Sequence, residues 1–199
     1  MKADEAGELM DAEKSEDRFK TRTAIMIAVL AMLLAITGLG GQNAAKEATN
    51  NNIFAANLYA FYQAKNIRQT SFALAADQFE IQMTVPGYFT PEARAEMQKK
   101  IDAYRKNVAR YESEPSTQEG KKELLARAKA AEELRDHALK QDPYFDYAEV
   151  LLQIAIVLAS VAIVSGISWL VIGSAALGIL GTLLMINGFL LIVSIPGLG

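Results

Sequence analysis

The last fifty residues, Val150 to Gly199, contain no Asp, Glu, Lys, Arg or His, although the chain as a whole holds 20 Lys+Arg and 23 Asp+Glu. Every formal charge therefore lies at or before Glu149. A run of that length and composition has no polar face to turn toward water. In a bilayer its backbone amides would have to be satisfied within the segment, as a helix does. This end of the chain therefore points the protein to a helical membrane architecture.

Fifty residues far exceed the ~20 needed for one crossing. Ser165-Gly166-Ile167-Ser168-Trp169 supplies small turn formers beside an interfacial tryptophan, which divides the run into spans at 147–167 and 170–193. Pro196-Gly197-Leu198-Gly199 is expected to stop the latter, because proline cannot donate a backbone bond and glycine is costly in helix. A further stretch, TAIMIAVLAMLLAITGLGGQNAA, is uncharged from Thr23 to Ala45 and is assigned a transmembrane helix at 23–41. The preceding tail, 1–22, carries seven acidic and five basic residues, unlike the short positive start of a cleaved leader. The expected fold is all-α, with three transmembrane helices and a helical extramembrane insert over 42–146.

Small residues recur at four-and-three spacing in each span: Ala24, Ala28, Ala31, Ala35 and Gly38; Ala155, Ala159, Ala162 and Gly166; Ser174, Gly178 and Gly181, then Gly188. Lipid tails are as apolar as leucine, so membrane helices associate through close backbone approach, which such stripes permit. These faces are expected to meet protein. Thr37, Gln153 and Asn187 fall toward one membrane side in an up-down-up bundle, and mutual hydrogen bonds worth about 1 kcal/mol or less each are expected. Beyond Asp146 and Glu149 the spans lack the ionisable groups that pumps and proton relays use.

The insert reads as helical throughout. Asn43 to Met83 extends the first span outward, with Gly38, Gly40, Gly41 and Thr49-Asn50-Asn51-Asn52 as weak points. Pro86-Gly87 makes a turn, Thr90 suits an N-cap and Pro91 the first helical position. Over 91–113, Met97, Ile101, Tyr104, Val108 and Tyr111 form a coiled-coil seam. A helix capped by Ser116 or Thr117 runs to about Gln141, with Leu124, Leu125, Ala128, Ala131, Leu134 and Ala138 as its apolar face. These two helices are expected to pair as an αα-hairpin, which the preceding helix completes as a bundle. Asp142 then caps and Pro143 begins the second span, with Tyr144 and Tyr147 in the headgroup layer.

The most individual piece of the insert is NLYAFYQAKNIRQT. Tyr59, Phe61 and Tyr62 precede Gln63, Lys65 and Arg68, and two cations beside an aromatic platform suit a phosphorylated ligand or headgroup. The alternative for the same residues is a bundle core with a solvated basic face, and the helical pattern favours it.

Other chemistry finds no support. Cysteine is absent, which removes thiolate nucleophiles, disulfides and Cys-based metal sites. The single His137 has no GxSxG element to serve, and with Asp142 and Asp146 it supplies too few ligands for a metal. GLGGQN follows a membrane helix rather than a strand, so it is no phosphate loop. A net charge of -3 gives no basic footprint for nucleic acid. No catalytic residue, cofactor or metal is expected.

NLYAFYQAKNIRQTSFALAAD, KKELLARAKAAEELRDHAL and FDYAEVLLQIAIVLASVAIVSG together resemble the bacterial membrane proteins grouped as domain-of-unknown-function family 4337. The likeness runs from the first span to about Leu190, and Phe61 to Gln69 and Leu151 to Ser160 are its most specific parts. It implies a single-span start, a helical insert and a membrane hairpin, and brings no assigned reaction or catalytic residue.

Arg18, Lys20 and Arg22 precede the first span, so the positive-inside rule assigns a cytoplasmic N-terminus and a periplasmic insert. The expectation is a non-enzymatic multipass protein of the bacterial inner membrane, in contact with lipid, that self-associates or serves as an accessory subunit of a membrane complex. The alternatives are a passive oligomeric channel and a ligand sensor built on Tyr59 to Gln69.

Overall fold

The computed structural model describes residues 3–87 and 89–196, with side chains from Glu13 onward. Those residues form four helices and no strand: α1 Ala3–Met83, α2 Pro91–Glu112, α3 Lys121–Ser165 and α4 Ser168–Leu190. Among them α1, α3 and α4 are long and apolar enough to cross a membrane. The chain divides into two compact units, Met1–Ala48 with Asp136–Gly199, and Thr49–Arg135.

In the first unit, α1 buries Thr23, Leu30, Thr37 and Ala44, four residues at steps of seven. On α3 the buried residues Phe145, Leu152 and Ala159 take the same step, with Ala148, Ala155 and Ala162 beside them. A seven-residue step keeps one face of a helix turned to its neighbour as the two wind around each other. Leu30 packs with Leu152 and Ala155, and Ala44 with Phe145, Ala148 and Met185. Helix α4 joins through Ser174, Gly178, Gly181, Met185 and Gly188, and the Ser174 hydroxyl donates to the Ala155 carbonyl at 2.6 Å.

Phe145 explains three glycines. A Cβ at Gly40 would stand 2.5 Å from its ring, one at Gly188 3.0 Å from the ring, and one at Gly41 3.2 Å from its Cβ. Gly178 likewise admits Leu30, whose Cδ2 lies 2.5 Å from where a Cβ would be. Close approach is the use of glycine here, and none of these positions breaks its helix.

The small stripes fare differently from span to span. Ala155, Ala159 and Ala162 are fully buried, as is Ser174, and Gly178 and Gly181 are buried as well. Gly166 is exposed and forms the turn between α3 and α4, at φ +72°. In α1, by contrast, Ala24, Ala28, Ala31 and Ala35 are exposed, and nothing lies within 4 Å of a Cβ built on Gly38. The inward face of α1 is the one carrying Thr23, Leu30 and Thr37.

The expected polar trio does not form. Thr37 donates to the Leu33 carbonyl at 2.8 Å and Gln153 to Glu149 at 3.2 Å, each within its own helix turn. Asn187 instead holds the segment after α4, donating to the Val193 carbonyl at 2.8 Å and accepting from the Val193 amide at 2.9 Å. Tyr144 is buried. Its hydroxyl donates to the Val193 carbonyl at 3.1 Å and accepts from the Ile195 amide at 3.0 Å. Tyr147 is exposed. Helix α4 ends at Leu190, capped by Leu191 in the left-handed region, before the expected stop, of which Gly197, Leu198 and Gly199 lie outside the described residues.

One expected helix start is absent. Helix α1 is unbroken across residues 22 and 41, and α3 runs through Pro143, so no new helix starts at Asp142. Proline cannot donate to the carbonyl of Leu139 four residues back. Leu139 itself is exposed.

In the second unit, Thr90 caps α2 by accepting from the Ala93 amide at 3.2 Å, and Pro91 opens the helix. Helix α2 does not fold back on α3. It packs on α1, where Tyr104 meets Phe72 and Phe79 with ring centroids 5.4 and 6.0 Å apart and Tyr111 meets Phe72 at 5.9 Å. Arg105 bridges to Asp77 at 2.6 Å and Glu80 at 2.9 Å. The start of α3 takes the next stretch of α1, where Leu124 and Ala128 pack with Leu58, Tyr59 and Tyr62. Helices α2 and α3 therefore follow one another along a single face of α1, and the opposite face of α1 is left bare.

Candidate functional site

The segment Tyr59 to Gln69 faces the junction of α2 and α3. Lys65 is buried, with its ammonium 3.4 Å from Glu119 and 3.9 Å from Glu114, and 5.0 Å from the centre of the Phe61 ring. Burying an ammonium is tolerable only with such compensation. Lys65 is thus taken up inside the protein.

Its neighbours are committed in the same way. Tyr59 donates to Glu132 at 3.0 Å, which raises its phenol pKa above the ordinary value. Tyr62 packs on the Leu58 cluster, with the Lys121 ammonium 5.4 Å from its ring centre. Gln69 donates to the Val108 carbonyl and to Glu112, both at 3.0 Å, and accepts from Lys121 at 2.7 Å. The Gln69 bond, with Lys121 3.4 Å away, holds the Glu112 carboxyl below the usual carboxylate range.

The junction itself is closed by Glu123, which accepts from the Ser113 hydroxyl at 2.6 Å and from the Glu114 amide at 3.1 Å. These donors lower its pKa, the Ser113 hydroxyl most. Gly120 makes room for the contact, since a Cβ there would collide with the Glu123 carboxylate and the Ser113–Glu114 backbone.

Two residues of the original group remain uncommitted. Gln63 is exposed. Arg68 is exposed and has no ion-pair or hydrogen-bond partner among the described residues. It lines a cleft of about 500 Å³ with Ser71, Phe72, Ala75, Tyr104 and Tyr111. The structure thus separates Tyr59, Tyr62 and Lys65, which hold the junction, from Arg68, which opens onto aromatic rings.

Glu112, Glu114, Glu119 and Glu132 are missing from the group that the sequence suggests. They lie up to 73 residues away along the chain and carry no local signal. Lys65 itself does carry one, because it stands seven residues from both Leu58 and Phe72 and so on the inward face. Among the described residues no group of three or more His, Cys, Asp or Glu side chains is placed to hold a metal ion.

No curated protein and no solved structure matches the chain. A family described as a domain of unknown function (DUF4337) matches residues 19–191, which take in the apolar part of α1, the α2–α3 junction and the α4 hairpin. The chain belongs to the DUF4337 family.

Proposed function

We propose that this is a non-enzymatic multipass protein of the bacterial inner membrane that self-associates, or joins a larger membrane complex as an accessory subunit. The observation that carries the reading is the difference between its small-residue stripes. Apart from Gly166 at the turn, those of α3 and α4 are used up inside the monomer, whereas Ala24, Ala28, Ala31 and Ala35 are exposed and Gly38 has open space before it. Small faces let backbones approach in lipid, so the free stripe offers a helix contact. Mass measurement on protein extracted gently from its own membrane tests it. Assemblies are expected, and a single species of monomer mass overturns the proposal.

Arg68 supports a second reading, a ligand site. A free guanidinium beside Phe72, Tyr104 and Tyr111 suits an anion with an apolar or aromatic body. Native mass spectrometry of the full chain should reveal a small anionic adduct that Arg68→Ala loses. Absence of any adduct from the unsubstituted protein removes this reading.

A further inference from the structure

The bare face of α1 in the Thr49–Arg135 unit carries its own ladder. Ile53, Ala60, Ile67, Leu74 and Ile81 follow at uniform steps of seven. All are exposed, the large ones at 53%, 68%, 62% and 68% in chain order. Neither α2 nor α3 covers them, because both lie on the side of α1 that carries Leu58, Lys65 and Phe72. Four isolated apolar side chains on a surface would need no explanation, but a repeat of seven over roughly 42 Å of helix matches one particular occupant, a second helix wound along the first.

The flanks indicate which helix. Partners of different sequence are usually selected by opposite charges beside the seam. Here the chain has no Asp, Glu, Lys or Arg from Ala48 to Ala64, and the residues three and four positions from the ladder up to Ser71 include Ala56, Asn57, Gln63, Ala64, Thr70 and Ser71, all uncharged, with Arg68 next to Ile67 turned about 100° away from it. Farther on, Asp77 and Glu80 are already held by Arg105. In a parallel, in-register seam of identical helices each seam residue meets its own copy, so a charge in the seam would face its like. An uncharged seam is what such pairing requires.

We infer that this face binds a second copy of the same chain, through a parallel, in-register pairing of the two α1 helices along Ile53, Ala60, Ile67, Leu74 and Ile81. The inference rests on the membrane reading above, since two copies inserted the same way have parallel α1 helices. Counted backward, the same register reaches Lys46, then Leu39, Met32 and Ile25, so the repeat is interrupted by one charge between two apolar stretches of sequence.

The cysteine-free chain makes the test clean. Single substitutions Ala60→Cys, Ile67→Cys and Leu74→Cys are introduced into the full chain in native membranes and oxidised. Each is expected to yield a disulfide-linked dimer, whereas Lys99→Cys on the exposed surface of α2 is not. Dimers at Lys99→Cys equal to those at the ladder, or cross-linking only when Ile53→Cys and Ile81→Cys chains are mixed, overturn the parallel seam. A second variant, Ile67→Glu with Leu74→Glu, is expected to lose the assembly while keeping the helical melt of the unsubstituted protein, because both sites are exposed in the monomer. If that variant remains assembled, the ladder proposal fails and self-association stands. If the unsubstituted protein is monomeric, both fail.

Discussion

Phe145 shows how much one side chain can demand of its surroundings. Its ring is admitted by the missing Cβ atoms of Gly40 and Gly188, and its loss leaves a cavity that rigid helices cannot fill. Phe145→Ala is expected to cost about 3 kcal/mol, read from unfolding of the full chain in detergent. Gly40→Ala forces the ring aside and should cost about 1–3 kcal/mol, whereas Gly38→Ala, with open space before it, should be neutral or slightly stabilising. Equal effects at the two glycines would contradict the packing. Glu123 makes a prediction in pH. Its folded pKa is depressed by Ser113 and the Glu114 amide, so the stabilisation is present above the unfolded value of about 4.3 and is lost as pH falls toward the lower folded value. A thermal melt should therefore drop with acidification below about pH 4.3, and Glu123→Gln should lessen that drop.

The helices teach a lesson about period. Leu124, Ala131, Ala138, Phe145, Leu152 and Ala159 are all buried on α3 at steps of seven, and this pattern could have been counted in the sequence without knowing any boundary. Attention to Pro143 and to composition shifts divides α3 where the structure has one helix. A proline inside a helix costs one bond and a steric clash, and packing on both sides of it keeps the helix whole. Inserting one alanine after Gln141 would rotate everything beyond it by about 100°, turning Phe145, Leu152 and Ala159 off their face. The loss in unfolding stability should be at least that of Phe145→Ala, and a normal melt would contradict the ladder. For α2 the N-cap was legible because Thr90-Pro91 acts locally. Its partner was not, since pairing with α1 rather than α3 depends on residues such as Phe72 and Asp77 far earlier in the chain.

For the molecule as a whole, orientation is the nearest test. With Arg18, Lys20 and Arg22 inside, a Cys at Ser116 should react with a membrane-impermeant maleimide in intact spheroplasts, and a Cys at Ser15 only after lysis. The reverse pattern would invert the topology. Charge distribution was enough to read three apolar segments and helical periodicity to read the insert, because an uncharged run in lipid is left with helix as the way to satisfy its backbone. It could not tell which small stripe would be consumed. Ala24 to Gly38 and Ala155 to Ala162 look alike as sequence, since in lipid an apolar residue is equally at ease against a neighbour or an acyl chain. The choice came from packing: Phe145 and Leu30 need glycines opposite them, and meeting that need turns Thr23, Leu30 and Thr37 inward and Ala24, Ala28, Ala31 and Ala35 outward.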